Sequence, residues 1–159
     1  MIRDARTTFA TAVSVAAAAG TAVIGNYIDR TITPNVDQAR LYLVIFCTTA
    51  IITGGSAGTV QIDLITSAAT SGSSPNIHIA SPLYATATTA SVAPLTAGSL
   101  ILIAELPRGS GIVGLGAYLR YMMLQVVTAT TTTTAGAISA FLSLETGFTN
   151  LTGYPEASQ

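Results

Sequence analysis

The chain has 159 residues, the length of one domain, and half of them are hydrophobic while only 8% are charged, against about 25% in an ordinary soluble domain. Disorder driven by charge and low hydropathy is excluded. With a net charge of −1 and arginine as the sole basic residue, so are electrostatic nucleic-acid binding, a polybasic membrane anchor and any lysine-dependent chemistry. A surface this poor in charge favours association.

No stretch offers the ~18 strongly apolar residues that a membrane helix needs. Phe9–Ile24 follows Arg3 and Arg6 and has the outline of a secretory signal, but it is built from Ala, Thr and Ser, and Asp4 sits between the arginines. It reads as an extended N-terminal arm or a first strand. Its sizeable apolar groups are Phe9, Val13, Val15, Val23 and Ile24, too few to offset the cost of ordering the backbone without a partner.

From there the sequence reads as strands. Leu41–Thr49 is apolar on both faces and rich in β-formers, a central strand. After the turn Thr53–Gly58, Thr59–Thr66 alternates, with Val60, Ile62 and Leu64 opposite Gln61 and Asp63. Ser67–Asn76 is a loop, and Ile77–Ala85 is a strand whose Pro82 puts it at an edge or a bulge. Ser99–Leu106 follows the turn Pro94–Gly98. Ala117–Thr128 fits strand or helix by periodicity, and its β-rich continuation and missing caps favour strand. Thr130–Thr134 reads as a loop. Gly136–Thr146 alternates again, with Ile138, Ala140, Leu142 and Leu144 opposite Ser139, Ser143 and Glu145.

Short connections imply antiparallel pairing. The expectation is an all-β, antiparallel, jelly-roll-like β-sandwich of about eight strands, in one domain. Residues 1–38 form the arm and first-strand region, 39–147 the core and 148–159 an irregular tail.

Candidate sites are few. Gly109-Ser110-Gly111-Ile112-Val113-Gly114 spells a dinucleotide fingerprint, but no helix follows and no acid lies about 20 residues on, so it reads as a glycine-rich loop. Asp63 and Glu105 read as sheet-surface charges or ion-pair partners of Arg108 or Arg120. Arg120, between Tyr118 and Tyr121, reads equally as an interface arginine or one extending its head to solvent. Cys47, inside an apolar run, reads as a small buried hydrophobe. His78, the only histidine, reads as facing solvent or an interface, with no orienting partner for base catalysis. Asn150-Leu151-Thr152 has the letters of a glycosylation sequon, and no serine sits in a G-x-S-x-G elbow. No cofactor, metal or small-molecule substrate is expected.

The order of landmarks resembles the jelly-roll capsid cement (decoration) proteins of tailed bacteriophages. The similar stretches are Met1-Ile2-x-Asp4 with Phe9, Tyr27-Ile28-Asp29, the blocks Leu41–Ser67, Pro94–Pro107 and Tyr118–Leu142, and the terminal Tyr154-Pro155. The run Thr130–Thr134 departs from the pattern. The resemblance implies a non-enzymatic virion protein on the outer capsid surface, assembled in the host cytoplasm. Its implied partners are the major capsid protein and further copies of itself, as a dimer or trimer. The residues expected at its interfaces are Ile2, Phe9 and Val13 in the arm and Tyr118, Arg120 and Tyr121 in the sheet. The competing readings are an exported adhesin or fibre subunit and, from GSGIVG, a small nucleotide-binding oxidoreductase.

Overall fold

The computed structural model describes residues 7–31, 41–107 and 117–143. Among them nine strands form two sheets: β1 (Thr8–Ser14), β2 (Gly20–Asp29), β3 (Tyr42–Thr53), β4 (Thr59–Ser67), β5 (Asn76–Ala80), β6 (Tyr84–Ala85), β7 (Leu100–Glu105), β8 (Tyr121–Ala129) and β9 (Thr133–Ser143). One sheet runs β1-β9-β3-β7 and the other β2-β8-β4-β5, with β6 also on β4. The strand pairs are antiparallel. The pairs β1·β9, β2·β8, β3·β7 and β4·β5 nest as the two arms of one long hairpin. Pairing of β9 with β3 and of β8 with β4 rolls that hairpin up. The fold is an all-β sandwich of jelly-roll type, as the alternating patterns imply.

The core lies between the sheets. Leu43, Ile45 and Cys47 of β3 and Ile138, Ala140 and Leu142 of β9 meet Val60, Ile62 and Leu64 of β4 and Met122, Leu124 and Val126 of β8. These are the faces that the alternation assigns for β4 and β9; Leu144 lies outside the described residues. The opposite faces are less polar than expected. Ile65 and Met123 are buried on the outer side of the second sheet. The loop between β4 and β5 crosses them there: a Cβ on Gly72 would meet Val23, Met123 and Ile65. On the outer side of the other sheet Phe46 and Phe141 pack edge to face, 6.3 Å apart.

Of the two readings of the N-terminal segment, the strand holds for the described residues: residues 8–29 contain two edge strands, one in each sheet, and Phe9 and Val15 are fully buried rather than carried on a free arm. Both strands carry bulges. β1 advances three residues from Ala10 to Val13 while β9 advances two, with Ala12 at φ 50°. β2 advances four residues from Ile24 to Ile28 while β8 advances two. Gly25, in that bulge at φ +71°, brings β2 so close to β1 that a side chain would run into the Phe9 carbonyl oxygen. Small residues let this side of the sandwich close. On the other side the Tyr84 hydroxyl donates to the Ile101 carbonyl at 2.7 Å, joining β6 to β7. The segment after β6 laces along β3, through Thr53 N to Ala87 O, Ile51 N to Leu95 O and Cys47 N to Ser99 O.

Two boundaries also move. β8 begins at Tyr121, so Tyr118 and Arg120 lie on its approach. Thr133 and Thr134 of the threonine tract belong to β9, leaving a short β8–β9 turn. Residues 148–159 and the loop Gly109–Gly116 lie outside the described residues.

Candidate interaction surface

The end of β2 and the start of β8 are held in register, Asp29 opposite Tyr121. This pairing builds a compact surface cluster. Arg120 grips the Asp29 carboxylate with two nitrogens, Nη2 to Oδ2 at 2.8 Å and Nε to both oxygens at 3.2 Å. Thr31 donates to Oδ1 from its hydroxyl at 2.7 Å and from its backbone at 3.0 Å. The Arg120 guanidinium and then the Thr31 hydroxyl hold the Asp29 carboxyl well below the usual carboxylate range. The guanidinium also lies 4.8 Å over the Tyr121 ring, and Tyr27 meets Tyr121 edge to face at 5.2 Å. Tyr27 is 52% exposed and the Arg120 side chain 51%. Tyr27 and Arg120 are thus presented to solvent around a half-buried Tyr121 with their geometry fixed in advance, the residue types enriched where proteins dock.

Behind this surface sits a buried clasp. His78 of β5 is buried, contrary to the solvent-facing expectation. Its ring stacks on Tyr118 with centroids 4.0 Å apart and planes 5° from parallel. His78 Nε2 lies 2.8 Å from Thr66 Oγ1 of β4, and the same oxygen accepts the Leu119 N–H at 3.0 Å. Arg30 lies 5.1 Å over the Tyr118 ring and donates to the Tyr118 and Leu119 carbonyls. Asn76 donates to the Ala117 carbonyl and the Tyr118 hydroxyl to that of Pro107. Burial, and then the Arg30 charge, push the His78 ring pKa below its ordinary value.

Of the six residues expected at interfaces, only Arg120 and Tyr121, with Tyr118 just beneath, come together. Phe9 is in the core, Val13 packs against it, and Ile2 lies outside the described residues. The sequence reading assigns no site role to Tyr27, Asp29, Arg30 or Thr66; the β2–β8 register is the signal that finds the first two. Asp63 is not a surface charge. It is buried on β4, accepting from Gln61 at 2.8 Å and from Gln125 at 3.1 Å. Arg120 pairs with Asp29 instead, and Arg108 lies outside the described residues.

No protein-family model matches the chain, and no curated protein matches it. Among the described residues, no three His, Cys, Asp or Glu side chains are grouped to hold a metal ion. Cys47 is buried, which pushes its thiol pKa up, and it donates to the Thr49 carbonyl.

Proposed function

We propose that this chain is a non-enzymatic cement protein of a tailed-phage capsid, binding the outside of the shell and bridging major capsid protein subunits. The carrying observation is the nature of the surface. From Leu41 to Ala104 the sole Asp, Glu, Lys or Arg is Asp63, and it is buried. Between Leu41 and Ala104 the chain therefore presents only uncharged groups to solvent, with Leu83 61% and Val92 68% exposed. Such a face is poorly suited to remaining solitary in water. The Tyr27–Arg120–Tyr121 cluster supplies a rigid anchor of the kind that dominates interface energetics. The jelly-roll sandwich and the ordered resemblance of the blocks Leu41–Ser67, Pro94–Pro107 and Tyr118–Leu142 fit the same role.

The test is sedimentation of the purified protein with capsids assembled without it. Wild type should co-sediment and raise the temperature at which the shells open. Tyr121→Ala with Arg120→Ala should weaken binding at least tenfold while the sandwich stays folded. Failure of the wild type to bind would refute the proposal.

A further inference from the structure

Each sheet ends in two edge strands, and three of these four edges are guarded. β1 is broken by two bulges. β5 is bulged between Ile77 and Ile79 and is followed by Pro82. β7 is bulged beside Leu100, ends in the exposed Glu105, and has its Ile101 carbonyl taken by the Tyr84 hydroxyl. Such features keep a strand edge from pairing with another chain. β2 lacks them over Gly20–Ile24, where its register with β8 is unbroken. No residue from Thr7 to Ile28 is charged or proline.

The neighbouring ladders fix which backbone groups of β2 point outward. Ile62 accepts the Ser81 N–H, so the even residues of β4 turn to β5 and the odd ones to β8. The odd residues of β8 therefore answer β4, while Leu124, Val126 and Thr128 turn to Ile24, Ala22 and Gly20 of β2. The Arg30 N–H on the Arg120 carbonyl gives the same parity from the other end of the strand. Thr21 and Val23 are left with N–H and C=O directed away from the sheet. β2 has no strand partner on that side among the described residues, and both side chains are exposed.

We propose that this edge pairs with the same edge of a second copy, antiparallel about a two-fold axis at Ala22, joining the two β2-β8-β4-β5 sheets into one. Thr21 then faces Val23 of the other copy and Val23 its Thr21, so their outward groups exchange four hydrogen bonds and the side chains form two β-branched pairs. At the axis the two Ala22 residues form a non-hydrogen-bonded pair with Cα atoms about 4.5 Å apart, a spacing that small side chains suit. Gly20 falls opposite the other copy's Ile24, and a Cβ on Gly20 would meet nothing within 4 Å. The paired stretch carries no charge, and Asp29 and Arg120 of the two copies go to opposite ends. The pairing does not depend on capsid binding.

The experiment is sedimentation velocity on the full chain at micromolar concentration. Wild type should dimerise. Thr21→Lys with Val23→Lys sets like charges opposite each other at exposed positions and should raise the dissociation constant at least about tenfold. Mixing that variant with Thr21→Glu/Val23→Glu should restore a dimer of unlike chains, which shows that both are folded. Under oxidising conditions Ala22→Cys should form a disulfide-linked dimer across the axis, while Ile77→Cys on the opposite edge should not. A monomeric wild type overturns the proposal, and one whose Val23 amide becomes protected only on capsids assigns the edge to a capsid strand instead. It is equally overturned if the lysine pair leaves the dimer undiminished, if the mixture forms no dimer, or if Ala22→Cys cross-links no faster than Ile77→Cys.

Discussion

Phe9→Ala separates an N-terminal arm from an N-terminal strand. In the structure the Phe9 side chain is completely buried in β1, with Gly25 of β2 drawn against its backbone. Truncating it removes a phenyl ring from a closed part of the core, where the surrounding strands collapse only partly. The expected loss is about 3–5 kcal/mol, a large share of the roughly 5–15 kcal/mol that holds a domain together. For a chain of this size that corresponds to a melting temperature lower by roughly 6–20 °C. Urea unfolding at a fixed protein concentration measures it, with the midpoint falling and the slope unchanged. Val92→Ser, at a surface position, is the control and should stay within about 0.5 kcal/mol. If Phe9→Ala costs less than about 1 kcal/mol, residue 9 is outside the core and the arm is restored.

Gly25→Ala should destabilise by more than the usual ~1 kcal/mol of a positive-φ glycine, because the added methyl meets the Phe9 carbonyl; calorimetry measures it, and no change would refute the close approach of β1 and β2. Stability should be level above pH 6.5 and fall as pH drops from there through the depressed pKa of His78, since the unfolded chain takes up that proton first; His78→Phe should flatten this slope. Asp29 acts lower: its lowered pKa adds stability above about pH 3.8 that is lost on further acidification, and Asp29→Asn should remove that part of the acid profile. Cys47 should resist thiol reagents in native protein and react on unfolding, because it is buried and its thiol is held protonated.

Where one face of a strand is apolar at period two, the sequence shows the fold directly. Val60, Ile62 and Leu64, and Ile138 and Leu142, are read correctly because each strand turns one side to the partner sheet. β1 and β2 are harder to read. Their bulges at Ala12 and Gly25 break the period, and small residues there allow close approach of two backbones rather than adding apolar area. Burial of Ile65 and Met123 on the second face depends on a loop folding back, which no local pattern reports. The surface cluster was half legible. Arg120 and Tyr121 are neighbours in the chain, whereas Tyr27 and Asp29 meet them only through the β2–β8 register. His78 was misread for the same reason: Thr66 precedes it by 12 residues, and its stacking partner Tyr118 arrives from the far side of β7.

The most direct test of the proposed role is a cryo-electron microscopy map of the particle whose genome encodes this chain. Density for the β-sandwich is expected on the outside of the shell, with Tyr27, Arg120 and Tyr121 buried against neighbouring capsid subunits. A shell without that density, or a sandwich bound with this cluster facing solvent, would contradict it.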